Sequence, residues 1–188
     1  MSHAWIGLGS NLGPREETLR AAVERLCSLG LEVLRVSHLY ETRPAPPAAP
    51  DEPWYLNGVV QAETDLSPHE LLALLHAVEA EAGRPASRSG PRSLDLDLLA
   101  LGNLAFTETG LTLPHPRIVD RAFVLVPLCE LDPLWRHPLD GRRAAELLAA
   151  LPVQEGSVRL HSPLAPSSAA DAAPGTGAYA WRFLSPVS

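Results

Sequence analysis

The chain has 188 residues, 46% hydrophobic and 20% charged, a size and balance that fit one compact domain burying roughly 70% of its unfolded surface. Its 15 basic and 22 acidic residues give a net charge of −7, which argues against a broad nucleic-acid surface and leaves phosphate-binding arginines to act locally. Cys27 and Cys129 are the only cysteines and show no CxxC spacing, so neither a disulfide framework nor a zinc knuckle is supported. No apolar run approaches the roughly 20 residues of a membrane span, and Ala4–Leu8 is too short and unflanked for a signal segment. A cytoplasmic protein with two core thiols is expected.

From Ala4 to Gly9 the sequence reads as a buried strand, and the turn Gly9-Ser10-Asn11-Leu12-Gly13 delivers Pro14 to a helix whose inner face carries Leu19, Val23 and Leu26. Gly30 ends that helix, and Leu31–Tyr40 reads as a second strand. Arg43–Pro53 holds five prolines and three alanines in eleven residues, which predicts a long surface loop. A third strand, Tyr55–Glu63, leads to Ser67-Pro68-His69-Glu70, where Ser67 can cap a helix, Pro68 suits its first position and Glu70 completes a capping box. Gly83 stops that helix before a second loop, Arg84–Arg92. Leu94–Leu101 is the fourth strand, Gly102-Asn103 offers a turn, and shorter helices are expected over Arg121–Leu131 and Arg142–Leu151. The order β-α-β-β-α-β predicts an α+β sandwich of ferredoxin-like type, mainly antiparallel, with helices on both faces. Residues 1–155 form the expected domain. Residues 156–188, rich in Pro, Ala, Ser and Gly, read as a flexible tail with an apolar cluster at Tyr179, Trp181, Phe183 and Leu184.

Asp95 and Asp97 are two apart on the fourth strand, so both point to one face with Cα atoms about 6.5 Å apart, while the leucines point the other way. A hard divalent cation carrying phosphate oxygens would relieve the repulsion and desolvation of such a pair, and magnesium is the natural candidate. The bland alternative is a strand whose carboxylates face water. Upstream, Arg84, Arg88 and Arg92 place cationic forks beside those carboxylates, as phosphoryl transfer requires, or else form a solvated basic loop. His115 stands between Pro114 and Pro116, which stiffen its backbone; it is either a fixed phosphate donor or a loop histidine without a role. Tyr55 and Asn57 share a strand face, one offering a stacking plane and the other a bidentate amide suited to a flat heterocycle, unless they are a core tyrosine and a bonded asparagine.

These motifs in order, GSNLG at 9–13, YLN at 55–57, GPRSLDLDLL at 90–99, LPHPR at 113–117 and RAFVLVPL at 121–128, resemble the 6-hydroxymethyl-7,8-dihydropterin pyrophosphokinase family of folate biosynthesis. The resemblance implies transfer of a diphosphate from ATP to a pterin alcohol, with AMP leaving. It implies two magnesium ions on Asp95 and Asp97, catalytic roles for Arg84 and Arg92, and a pterin site of Thr42, Ala45, Tyr55, Asn57 and Phe123. On the ATP side it implies Leu72, His76, Glu79, Arg88, Leu98, Thr112, His115 and Arg121. The family usually has tryptophan where this chain has Ser89, and a longer arginine loop. A monomer acting on small molecules is expected, with other enzymes of the folate pathway as candidate partners. Two rivals are a DxD nucleotide-sugar transferase, which needs helices between parallel strands, and a pterin-binding module that has lost transfer.

Overall fold

The computed structural model describes residues 1–44, 51–83, 92–152 and 157–164. Strand β1 (Ser2–Ser10) is followed by helix α1 (Arg15–Ser28), strands β2 (Glu32–Val36), β3 (His38–Thr42) and β4 (Tyr55–Thr64), and helix α2 (Pro68–Glu81). Then come β5 (Asp95–Leu101), a hairpin of β6 (Phe106–Glu108) and β7 (Leu111–Leu113), helices α3 (Ala122–Leu131) and α4 (Ala144–Ala150), and a last strand β8 (Val158–Pro163). The main sheet runs β5-β1-β4-β3-β8, with β2 also on β4, and every pairing is antiparallel. The α+β sandwich expected from the sequence is therefore present.

Alternation along the strands divides the interior into two cores. Ala4, Ile6 and Leu8 of β1 join Leu19, Val23 and Leu26 of α1 and Leu71, Leu75 and Val78 of α2 on one face. Trp5, Val59 and Leu99 face the other way, against Val124, Leu125 and Leu128 of α3 and Leu147 of α4. Helices thus cover both faces. At the end of β5 the register slips, with Ile6 opposite Leu98 but Trp5 opposite Ala100. The extra residue, Leu99, is a bulge that turns both Leu99 and Ala100 toward α3.

The helix ends follow the local chemistry read from sequence. Ser67 accepts from the Glu70 backbone N–H while the Glu70 carboxylate accepts from Ser67 N at 2.8 Å, completing the capping box. Gly30 and Gly83, just past α1 and α2, have φ of 93° and 79°, a left-handed conformation that a β-carbon would disfavour.

Two expectations are corrected. Leu31–Tyr40 is not one strand: Ser37 exchanges bonds with Val59 through its backbone N–H and its hydroxyl, and the chain jogs there into β2 and β3. Gly58 permits the jog, because a β-carbon on it would stand 3.2 Å from Leu39 Cδ2 and 3.3 Å from Ser37 Oγ. The second correction is β8, a strand within the segment read as tail, paired along β3 and followed by Leu164, which is buried in the α1–α2 core. The Tyr179–Leu184 cluster lies outside the described residues. Both thiols are free, Cys27 buried and Cys129 half-buried, and burial raises each, Cys129 to about 11.

Candidate active site

Register builds the site. Gly9 of β1 pairs with Asp95 on one side and Asn57 on the other, and Asn57 pairs in turn with Tyr40, so these four residues form one row across β5, β1, β4 and β3. The next row places Gly7 between Asp97 and Val59. With strands about 4.8 Å apart, the carboxylate strand and the amide strand are separated by roughly 10 Å, and the β1 positions between them are Gly7 and Gly9. Their missing β-carbons leave room for side chains of the flanking strands, Leu99 against Gly7 and Asn57 against Gly9. A β-carbon on Gly9 would stand only 3.1 Å from Asn57 Oδ1 and 3.6 Å from Asp95 Cβ. Gly9→Ala should therefore push the Asn57 amide aside and weaken binding of the flat ligand about ten-fold, with little change in nucleotide affinity, as titration of each ligand would read.

At the amide end, Asn57 is buried and donates through Nδ2 to Thr42 Oγ1 at 2.6 Å. This bond fixes the orientation of the amide. Thr42 pairs with Tyr55, whose ring is half-buried and whose hydroxyl reaches Glu52 at 3.4 Å. Burial raises the Tyr55 hydroxyl, so it remains a neutral phenol. Phe123 opens α3 at the edge of the second core, with the Arg121 guanidinium 5.4 Å from its ring centre.

At the acidic end, both aspartates face arginines. Arg92 Nη1 donates to Asp95 Oδ1 at 2.7 Å, and Arg121 Nη1 donates to Asp97 Oδ2 at 3.2 Å. The carboxylates are thus half-exposed on an edge strand, with charge partners from two different segments. Beside them a cleft of about 420 Å³ is lined by Leu72 and His76 of α2, Asp95–Leu98 of β5, Glu108 and Gly110–Thr112 of the hairpin, and His115. The backbone N–H of Arg117 donates to His115 Nδ1 at 3.1 Å, which leaves Nε2 to carry the proton of the neutral ring. Burial lowers the His115 pKa, so the neutral donor form dominates near pH 7.

Of the residues expected on the nucleotide side, Leu72, His76, Leu98, Thr112 and His115 line this cleft together with Asp95 and Asp97. Glu79 does not. It is 1% exposed and accepts the Leu96 backbone N–H at 2.9 Å, so its carboxylate binds the edge strand to α2 between the two aspartates. Glu79→Ala would leave that buried N–H unsatisfied, at a cost of about 1–3 kcal/mol in unfolding free energy by urea titration. Ala45, Arg84, Arg88 and Ser89 lie outside the described residues.

Some site residues escaped the sequence reading. Gly7 and Gly9 were legible in principle, since two glycines two apart in a strand mark a close approach on one face. Asn11 is buried and joins three segments: its Oδ1 accepts Arg92 N at 2.7 Å, its own N–H donates to Arg92 O at 3.1 Å, and its Nδ2 reaches Pro53 O at 3.4 Å. It ties the ends of the proline-rich and arginine loops to β1.

A mainly antiparallel α+β sandwich with an acidic edge strand, fixed arginines and an aromatic and amide slot on one face has the parts of a polyphosphate-dependent transferase. Residues 5–133 match the family described as 7,8-dihydro-6-hydroxymethylpterin-pyrophosphokinase. The chain is 43% identical over 162 residues to the 2-amino-4-hydroxy-6-hydroxymethyldihydropteridine pyrophosphokinase of Pseudomonas aeruginosa, covering 85% of this chain and 98% of that protein. The protein of that name from Synechocystis is 42% identical over 147 residues, covering 77% and 74%. Among solved structures, a Plasmodium falciparum HPPK-DHPS triple mutant with SDX-DHP matches with a TM-score of 0.64 at 14% identity, over 79% of this chain and 44% of that one. That likeness concerns the fold alone. The chain belongs to the 7,8-dihydro-6-hydroxymethylpterin-pyrophosphokinase family. Among the described residues, no helix is long and apolar enough to cross a membrane.

Proposed function

We infer that the chain transfers the β,γ-diphosphate of ATP to the hydroxyl of 6-hydroxymethyl-7,8-dihydropterin, giving the pterin diphosphate and AMP. The observation that carries this reading is the row Asp95, Gly9, Asn57, which sets an anion-handling end and a heterocycle-reading end on one sheet face. Asn57, held by Thr42, reads the pterin edge, and Tyr55 and Phe123 supply its stacking faces. The cleft beside β5 takes the nucleotide, with His115 Nε2–H and Arg121 as phosphate donors. The pterin hydroxyl oxygen bonds to the β-phosphorus and gives up its proton to water, as the bond to the bridging oxygen of AMP breaks and AMP leaves with that electron pair. Holding both reactants on one floor makes this step effectively intramolecular.

The donor set fits magnesium. Among the described residues no three His, Cys, Asp or Glu side chains gather at one point, whereas two carboxylates face one way from the edge strand. Magnesium is commonly held by one or two carboxylates and completed by substrate phosphates and water. Asp95 and Asp97 would hold it, and when bound it neutralises phosphate oxygens that otherwise repel an approaching nucleophile. We propose a monomer acting on small molecules, and the composition supports a cytoplasmic setting.

The test mixes protein, the pterin alcohol, ATP and magnesium. One AMP per pterin diphosphate is expected. Pterin binding without AMP would point to a module that has lost transfer, and ADP in place of AMP would overturn the site of attack.

A further inference from the structure

Strand β8 lies beyond the span matched by the family, 5–133. It nevertheless completes the sheet beside the strand that carries Thr42, pairing Val158 with Thr42 and Arg159 with Glu41. Arg159 places its guanidinium carbon 4.9 Å from the centre of the Trp54 ring, and Arg43 approaches the same ring at 5.2 Å. On the α1 side, Arg15 donates to the Trp54 carbonyl at 2.7 Å and to Glu41 at 2.7 Å. Trp54 therefore has two guanidinium groups against its ring and a third on its carbonyl. It is also the residue immediately before Tyr55, and with Arg43 it stands where the proline-rich connection leaves β3 and enters β4.

We propose that Arg159 is a positioning residue for the pterin slot, acting through Trp54 to fix the entry of β4 and hence the plane of Tyr55. The inference rests on the pterin reading of Tyr55 and Asn57. A stacking ring must already lie parallel to its ligand, because ordering a loose side chain on binding costs affinity. Arg159 and Arg43 at the indole and Arg15 at the carbonyl together restrain the residue beside that ring. The C-terminal strand thus serves the substrate site without touching substrate.

The experiment uses the full chain and titrates 6-hydroxymethyl-7,8-dihydropterin and ATP separately. Arg159→Ala should raise the pterin Kd about two- to five-fold, the scale of a cation–π contact at an exposed site, and leave the ATP Kd unchanged. Arg159→Lys, which keeps a cation over the indole, should restore most of the loss, and Arg43→Ala combined with Arg159→Ala should deepen it. Tyr55→Ala is the reference and should weaken the pterin more than either single arginine variant. If Tyr55→Ala weakens the pterin while Arg159→Ala does not, the positioning role is wrong. Should Tyr55→Ala also have no effect, the slot itself has been misread. Parallel loss of both ligands, or failure of lysine to rescue, would mean general destabilisation and overturn the proposal.

Discussion

Asp97→Ala should lower kcat by roughly a thousand-fold, equivalent to about 4 kcal/mol of transition-state stabilisation, while the pterin Kd stays within about two-fold of the parent. The separation follows from the register. Asp97 faces Gly7, and strand β1 lies between it and the strand of Tyr55 and Asn57, with Thr42 one strand further on, so its removal leaves the amide and aromatic contacts in place. ATP should still bind, because Arg121 loses its carboxylate partner at 3.2 Å and becomes freer to meet phosphate. The loss should fall on the chemical step, where charge on the β-phosphate has no counterion held by the sheet. AMP release under saturating substrates, set beside a fluorescence titration of the pterin, measures both quantities. Unchanged turnover would mean that the strand carboxylates have no part in transfer.

The same geometry explains which parts of the molecule were legible beforehand. Elements whose side chains alternate between core and solvent, or whose ends carry a capping box, announce themselves: Ser67 and Glu70 wrote the start of α2, and Asp95 and Asp97 wrote the acidic face of β5. Strand β8 had no such signal. Its Arg159, Leu160 and His161 are exposed, with Leu160 at 66%, so its place in the sheet rests on backbone pairing to β3 and leaves little trace in hydrophobic pattern. The break at Ser37 was hidden for a related reason, because a bulge keeps β-type residues on both sides and depends on Gly58 some twenty residues later.

The resemblance implied a nucleotide contact at Glu79, yet a carboxylate buried in an apolar helix face is costly and calls for a partner. That partner is the Leu96 N–H, a donor on the strand that forms the edge of the sheet among the described residues. Gly7 and Gly9 read in sequence as parts of a strand and a turn; in the sheet their missing β-carbons make room for Leu99 and Asn57 of the flanking strands. A side chain announces itself in the sequence, whereas such a close approach becomes visible only when the flanking strands are placed against it.

Arg92→Ala should reduce kcat by about 10²- to 10³-fold and change the KM for ATP by less than about three-fold. Arg92 is anchored twice through its backbone, N–H to Asn11 Oδ1 and carbonyl to Asn11 N, while its guanidinium holds Asp95 at 2.7 Å. The side chain is thus poised beside the carboxylate that the proposed reaction needs for magnesium, and its contact with phosphate strengthens as charge develops in transfer. Removing it also releases Asp95 from its ion pair. The magnesium concentration giving half-maximal rate should therefore fall in the variant even as the maximal rate collapses. Arg92→Lys should recover only part of the rate, since an ammonium cannot reproduce the planar fork. Initial rates across a magnesium series separate the alternatives: a rise in the half-maximal magnesium concentration, or a loss carried by KM for ATP, would make Arg92 a ground-state anchor.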